Sequence, residues 1–116
     1  MIDAIFGFSF SGGNIRPPFD TMIEQLITDS KSKLVLSVDV PSGWPIEEEK
    51  CQENLNALWQ PSGLISLSAP KECSKFISSD CQHFLGGRFV PMELAKDFEI
   101  EGFMRDYKET DLITVI

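Results

Sequence analysis

The sequence predicts an α/β fold built on a parallel sheet. Two short runs, residues 34–38 and 63–67, are apolar at nearly every position, which is typical of parallel strands covered on both faces. An amphipathic stretch precedes the first of these runs and is typical of a crossover helix. With 116 residues, the chain has room for one domain.

The first elements follow from their apolar patterns. Residues 2–6 form a short apolar run and predict a first strand, which would begin without a lead-in, so we expect a further segment before residue 1. The helix is predicted from one apolar stripe at positions i, i+3, i+4, i+7 and i+8, with prolines in its first turn. The stripe consists of Phe19, Met22, Ile23, Leu26 and Ile27.

The later elements are less regular. Residues 45–61 are polar and acidic and predict a surface excursion before the third strand. A short helix is predicted over 70–76, an extended or turning segment over 83–90, and a weak helix over 91–98. Residues 99–116 are predicted to be an acidic C-terminal tail that follows a domain of residues 1–98.

Charge and composition exclude several classes of protein. The net charge of −8 argues against a binder of nucleic acid and against docking on anionic lipid. No apolar run is long enough for a membrane span, and no signal peptide is evident, so a cytoplasmic location is the default expectation. The three cysteines are expected to be reduced, and their spacing relative to His83 is not that of zinc ligands.

Two glycine-containing loops leave the carboxyl ends of predicted strands, where open parallel sheets bind ligands. Residues 7–16 lead into the predicted helix and could cradle a phosphate beside Arg16, although an ordinary strand-to-helix loop is the favoured interpretation. The second loop is formed by residues 39–44, and it begins at Asp39, which ends the second strand. Asp39 could act as a general acid or base, or cap its own turn, and position alone does not separate the two.

Asp3 interrupts the first apolar run. A buried carboxylate there would need a partner or a cation, whereas an exposed carboxylate at the start of the strand would need neither. Without further information, the exposed carboxylate is the favoured interpretation.

Four blocks, in this order, resemble motifs of the NAD(P)H-hydrate epimerases, also called YjeF N-terminal domain proteins or apolipoprotein A-I-binding proteins. They are DAIFGFSFSG with RPPF at residues 3–12 and 16–19, SVDVPSGW at 37–44, LISLSAPK at 64–71 and HFLGGRFVP at 83–91. The resemblance extends over residues 2 to about 98 and concerns only the C-terminal half of that domain.

The resemblance implies a partial Rossmann-like three-layer α/β/α fold that lacks its N-terminal half. It further implies homodimers and epimerisation of hydrated NADH or NADPH at the nicotinamide ring, with a potassium ion near the substrate. Asp39 would be the catalytic residue, and Asp3 and Ser42 would bind potassium. The substrate would contact Asp39 and the loop formed by Gly7, Phe8, Ser9, Phe10, Ser11, Gly12 and Gly13.

Two departures from the family pattern shape the expected function. The N-terminal half is absent, and residues 45–60 look expanded. We therefore expect a truncated epimerase that is weakly active or inactive alone. The alternative is a non-catalytic interaction protein that binds apolipoprotein A-I or a dimer partner. A mitochondrial or secreted location would follow if a preceding part carried a targeting peptide.

Overall fold

The computed structural model of the chain describes residues 1–10, 13–87, 90–102 and 112–116. Its centre is a five-stranded sheet with the strand order β1-β2-β3-β4-β5, in which the first four strands are parallel and β5 is antiparallel to β4. The strands are β1 (Ile2–Asp3), β2 (Leu36–Val38), β3 (Gly63–Leu67), β4 (Gln82–Gly86) and β5 (Ile113–Val115).

The helices of the described residues lie between these strands in the chain. They are α1 (Phe19–Ser30), α2 (Glu48–Glu53) and α3 (Met92–Asp97), with 3₁₀ helices at Leu55–Ala57 and Glu72–Phe76. The predicted order of strand, helix, strand, loop and strand is present, and α1 buries Ile23 and Leu26 of its predicted stripe. The first strand is shorter than its apolar run, since pairing with β2 covers only Ile2 and Asp3.

The structure corrects the prediction for residues 45–61. This segment is not only a surface excursion, because it forms α2 and a 3₁₀ helix and contributes Cys51 and Trp59 to the hydrophobic core. The acidic side chains of Glu47, Glu48 and Glu49 do point outward and are exposed. A single buried face among charged residues is therefore enough to anchor the segment.

The sheet also has more strands than the three predicted. Residues 82–86 pair with β3 as β4, and Ile113–Val115, within the predicted acidic tail, pair with β4 as β5. Residues 103–111 of that tail lie outside the described part of the chain.

The pairing register separates two sheet faces. One face carries Asp3, Ser37, Leu64, Ser66 and Leu85, all of which are buried. Val35, next to β2, packs with Ile23 and Leu26, so α1 covers this face. The opposite face carries apolar side chains that are only partly covered.

Within the described residues, no helix combines the length and the apolar character that crossing a bilayer requires.

Candidate functional site

The segments that follow β1, β2 and β3 meet at the carboxyl edge of the sheet, where parallel sheets bind their ligands. Asp39 lies at the centre of this edge. Its backbone has φ 71°, a left-handed conformation that is costly for a residue other than glycine, and its amide donates to Ile65 O at 2.8 Å. Backbone strain of this kind concentrates at functional sites, because the surroundings must hold it in place.

The carboxylate of Asp39 is bound from three directions. Oδ1 lies 2.7 Å from Lys71 Nζ and accepts a longer hydrogen bond, 3.4 Å, from Leu67 N, while Oδ2 accepts one from Phe8 N at 3.0 Å. These donors belong to other segments rather than to the turn that follows Asp39. The geometry therefore does not support the interpretation of Asp39 as a cap of its own turn.

Lys71 is the residue of this site that sequence reasoning missed. Its side chain is 17% exposed and that of Asp39 is 13% exposed, so the ion pair is shielded from water. Nζ also donates to Leu67 O at 2.7 Å and to Ala69 O at 3.0 Å. The available signal was its position: Lys71 ends the LISLSAPK block, just beyond the carboxyl end of β3.

The loop after β1 lies against Asp39 through Gly7 and Phe8. A Cβ atom on Gly7 would lie 3.5 Å from Asp39 Oδ2, an ordinary contact distance, so the loop passes directly beside the carboxylate. The Phe8 ring is 61% exposed, and its centroid lies 5.9 Å from Lys71 Nζ. An exposed aromatic ring beside a carboxylate is suited to stacking on a flat ligand.

The remaining loop residues take different positions. Phe10 N donates to Gly7 O at 3.0 Å, which closes a turn, and the Phe10 ring stacks on Phe6 with centroids 4.5 Å apart. Ser9 is exposed, and Gly13 lines a groove beside α2 whose lining does not include Asp39. Ser11 and Gly12 lie outside the described residues.

The start of α1 gives little support to a phosphate cradle. Arg16 is exposed, and Asp20 lies in the first turn of the helix. Asp20 Oδ1 accepts a hydrogen bond from Thr21 N at 2.7 Å, so a carboxylate already occupies one amide near the place where an anion would bind.

Asp3 and Ser42 meet at the neighbouring strand end. The interpretation of Asp3 as an exposed carboxylate is wrong, because the residue is 1% exposed. Asp3 Oδ2 accepts hydrogen bonds from Ser37 Oγ and from Ser42 N, both at 2.8 Å, whereas Oδ1 has one long contact of 3.5 Å with Ile5 N. Among the described residues, no basic side chain pairs with this carboxylate.

Two tryptophans hold the Ser42 turn in place. Trp59 Nε1 donates to Ser42 O at 3.0 Å, and Trp44 Nε1 donates to Trp59 O at 2.9 Å. Both rings belong to the hydrophobic core, so Trp44 is a packing residue rather than a platform for a ligand ring. The segment 45–61 thus fixes the turn that carries Ser42.

His83 lines a cavity that Lys71 also lines, and its hydrogen bond goes to Ser66 rather than to Asp39. Its Nε2 is 2.8 Å from Ser66 Oγ, and burial lowers the pKa of its imidazole below the ordinary value. The cysteines are free, and burial raises the pKa of the Cys73 thiol to about 12. In the part of the chain that the structure describes, no three side chains of His, Cys, Asp or Glu form a metal-binding group.

The fold described above is that of a known protein family. Residues 1–73 match the family model described as YjeF-related protein N-terminus, and the chain belongs to that family. Over 99% of its length the chain resembles the crystal structure of yeast YNL200c, with a TM-score of 0.79 and 37% identity, and it covers 45% of that chain. The predicted family and fold are therefore confirmed.

Particular relatives carry enzyme names. The chain is 40% identical over 116 residues to the NAD(P)H-hydrate epimerase of Aspergillus fumigatus, and it covers 45% of that protein. It is 43% identical over 108 residues to the chloroplastic pyridoxine/pyridoxamine 5'-phosphate oxidase 1 of Arabidopsis thaliana, of which it covers 19%. The chain thus spans less than half the length of these relatives.

Proposed function

We propose that this chain carries the catalytic edge of an NAD(P)H-hydrate epimerase, which interconverts the epimers of hydrated NADH or NADPH. Support comes from the family and from a relative of this name, the Aspergillus fumigatus protein, whose match covers the whole of this chain. Because the chain spans less than half of those relatives, we expect weak activity or none from it alone. The oxidase name of the Arabidopsis relative is not transferred, because 81% of that protein lies outside the match.

The observation that carries the proposal is the environment of Asp39. The carboxylate of Asp39, a residue with a left-handed backbone at the ligand-binding edge of the sheet, has a main-chain amide on one oxygen and an ammonium group on the other. Fixed donors of this kind hold a carboxylate in one orientation, which acid–base catalysis requires. The exposed ring of Phe8 offers a stacking surface for the flat nicotinamide ring beside it.

The reaction needs one proton delivered and one recovered. Asp39 delivers a proton to the ring hydroxyl, the bond between the ring carbon and that oxygen breaks with its electron pair on the oxygen, and water leaves. Water from solvent then adds to the other face of the ring carbon and releases its proton to solvent, and Asp39 takes up a proton from solvent in exchange. The ring gains and loses one water, and Asp39 ends in its starting state. Lys71 holds the carboxylate in position throughout.

A potassium ion near the substrate is part of the proposal, and the residues at Asp3 fit one. The buried Asp3 carboxylate has neutral hydrogen-bond donors but no positive partner among the described residues, and Oδ1 has spare acceptor capacity. Ser42 Oγ, which accepts a hydrogen bond from Phe6 N, is a neutral oxygen close by. Oxygen ligands suit a hard cation, whose charge would offset the buried carboxylate.

The epimerisation of hydrated NADH tests the proposal. The chain is joined, in front of Met1, to the part of the Aspergillus fumigatus relative that lies outside the match, and interconversion of the two epimers is followed by chromatography. We expect Asp39→Asn to lower the rate by about 10²-fold or more, since the amide keeps the shape of the carboxylate but cannot exchange the proton.

Asp80→Asn is the matched control. Asp80 is exposed and precedes β4, so it lies at the amino ends of the strands, whereas Asp39 lies at their carboxyl ends. This variant should keep the rate of the unmodified joined protein. Near-normal epimerisation with Asp39→Asn would remove Asp39 from the proposed role, and an inactive but folded joined protein would contradict the proposed function.

Homodimer formation, binding to apolipoprotein A-I and the cellular location stay predictions. None of the contacts described above favours the non-catalytic alternative over the enzyme.

A further inference from the structure

The three central strands of the sheet are each followed by a residue with a left-handed backbone. Asp39 follows β2 with φ 71°, Ser68 follows β3 with φ 64°, and Gly87 follows β4 with φ 66°. Glycine adopts this conformation freely, whereas a serine or an aspartate adopts it at a cost that the surroundings must offset. Ser68 is therefore held in a costly conformation, next to the strand end that carries Asp39.

The chain makes a tight turn around Ser68. Ala69 N donates to Leu67 O at 2.8 Å, which closes a three-residue turn, and the positive φ of Ser68 makes it the form of the γ-turn that proteins rarely use. The carbonyl oxygens of Leu67 and Ala69, on either side of Ser68, both accept hydrogen bonds from Lys71 Nζ, at 2.7 and 3.0 Å. The turn thus brings two carbonyl oxygens together at one ammonium group.

Two hydrogen bonds hold Ser68 against the end of β4. Ser68 N donates to Gly86 O at 2.9 Å, and Ser68 Oγ donates to Gly87 O at 3.1 Å. The two chains pass close to each other here, since a Cβ atom on Gly87 would lie 3.6 Å from Ser68 N. These contacts offset the cost of the left-handed backbone, so the turn is supported from the neighbouring strand.

The turn at Ser68 supplies most of what holds the end of the Lys71 side chain. An ammonium group has three donors, and Lys71 Nζ contacts three oxygens, namely Asp39 Oδ1, Leu67 O and Ala69 O. A lysine side chain is flexible, so its end stays in one place only where several contacts hold it. Because two of the three oxygens flank Ser68, the conformation of Ser68 determines where the ammonium group lies relative to Asp39.

We propose that Ser68 is a positioning residue for the acid–base step. Its left-handed turn fixes the Lys71 ammonium group, and Lys71 in turn fixes the Asp39 carboxylate. The Ser68 hydroxyl donates to Gly87 O, so Ser68 acts through Lys71 and not by moving a proton itself. The effect on the reaction rests on the proposed function, whereas the effect on Lys71 does not depend on it.

Two substitutions at Ser68 test the effect on the reaction. Valine is strongly disfavoured in a left-handed conformation, so Ser68→Val should open the turn, whereas Ser68→Gly should keep it. In the joined protein we expect Ser68→Val to lower kcat by about tenfold or more with little change in KM, and Ser68→Gly to stay within about threefold of the unmodified protein. A role in stability alone would leave kcat of the folded protein unchanged.

The ammonium protons of Lys71 give a readout that does not need activity. Ammonium protons that are all hydrogen-bonded and shielded exchange slowly with water, so nitrogen-15 NMR of the chain at low temperature should detect them. The signal is assigned by its loss in Lys71→Met. We expect Ser68→Gly to keep this signal and Ser68→Val to lose it.

Ser79→Val is the matched control, because Ser79 is exposed and its backbone is not left-handed. It should keep both the signal and kcat. A folded Ser68→Val protein with the Lys71 signal intact, or with normal kcat, would overturn the proposal.

If Ser68→Val does not fold, Ser68→Ala takes its place. Alanine lacks the bond to Gly87 O and keeps the cost of a positive φ, so kcat should be about threefold or more below that of Ser68→Gly. Equal kcat values in the alanine and glycine variants would overturn the proposal. An unmodified joined protein that is folded but inactive contradicts the proposed function instead, and the Lys71 signal then decides whether Ser68 positions Lys71.

Discussion

Lys71 Nζ lies 2.7 Å from Asp39 Oδ1, and the two residues follow different strands, β3 and β2. The ammonium group also binds the carbonyl oxygens of Leu67 and Ala69, so its position is fixed by the chain that leaves β3. Asp39 has a left-handed backbone that needs such support. The ion pair thus links the end of β2 to the chain that leaves β3, and it fixes the orientation of the Asp39 carboxylate at the sheet edge.

Replacing Lys71 should impair turnover more than substrate binding. In the joined protein, Lys71→Met keeps the length of the side chain but removes the hydrogen bonds to Asp39 Oδ1 and to Leu67 O. We expect kcat to fall on the order of 10-fold to 10²-fold, because the carboxylate loses its fixed position.

The matched control is Lys75→Met, since Lys75 pairs with Glu48 on the exposed surface. It should leave kcat and KM unchanged. A Lys71→Met protein with normal kcat and a raised KM would show that Lys71 contributes to binding and does not position Asp39.

Removing the charge of Asp3 should abolish a potassium-specific stabilisation. In the joined protein we expect Tm to be higher in potassium than in tetramethylammonium at the same ionic strength, since a bound cation stabilises the folded state. Asp3→Asn can keep the hydrogen bonds from Ser37 Oγ and Ser42 N but loses the charge, so this difference should vanish.

In the chain without the remaining part of the family domain, potassium should change Tm little, because the site lies at the free edge of β1. Glu53→Gln, at an exposed position in α2, is the control for loss of a negative charge and should keep the potassium effect. A large potassium-specific shift in the chain alone, or one that survives Asp3→Asn, contradicts this assignment.

The elements that the sequence predicts well are those whose side chains carry a local pattern. The stripe of α1 and the apolar runs of β2 and β3 are visible within a few residues, and each forms the expected element. The three residues of β5 are β-branched and lie in the apolar run 112–116, a strand pattern that the prediction of an acidic tail over 99–116 passed over, and they pair with β4. In the acidic segment 45–61, Cys51 and Trp59 are buried by tertiary packing, which the charge pattern of the segment does not indicate.

The same distinction applies to the site, where one contact follows from the predicted strands and another does not. The meeting of Asp3 with Ser42 follows from parallel strand ends, which the strand order makes neighbours. The role of Lys71 does not follow, because it depends on a turn that returns the chain after β3 toward Asp39. The burial of Asp3 likewise depends on tertiary packing, because two tryptophans hold the Ser42 turn in place beside it.

His83 should make the fold less stable in mild acid. Burial lowers the pKa of its imidazole from the ordinary 6.5, so the unfolded chain binds a proton more readily than the folded one. The stabilisation is fully present above the unfolded pKa and is lost as the pH falls through the folded value. The cavity beside His83 is also lined by the charged residues Lys71, Glu72 and Lys75.

Urea unfolding of the chain at about pH 7.5 and about pH 5.5 measures this effect. The free energy of unfolding should fall between the two values, and His83→Gln, which can still bond Ser66 Oγ, should show a smaller fall. Equal falls in both proteins would assign the acid sensitivity to other groups.

Cys81 should react first with a thiol reagent. Cys51 and Cys73 are buried and Cys81 is partly exposed, although burial raises the pKa of all three thiols. Alkylation of the two buried thiols requires local opening, so we expect it to be slower by about 10²-fold or more. Mass spectrometry during labelling follows each site, and Cys81→Ser should remove the fast phase. Rapid labelling of Cys73 in the folded chain would contradict the buried core described here.

Exchange of the ring hydroxyl with solvent tests the central claim, that Asp39 moves the proton as water leaves and returns. The joined protein is incubated with hydrated NADH in water enriched in the heavy oxygen isotope, and mass spectrometry follows the isotope in each epimer. We expect the isotope to enter the ring hydroxyl as fast as the epimers interconvert, and both processes to slow by about 10²-fold or more in Asp39→Asn. Epimerisation without isotope entry, or isotope entry at the normal rate in Asp39→Asn, would contradict the account.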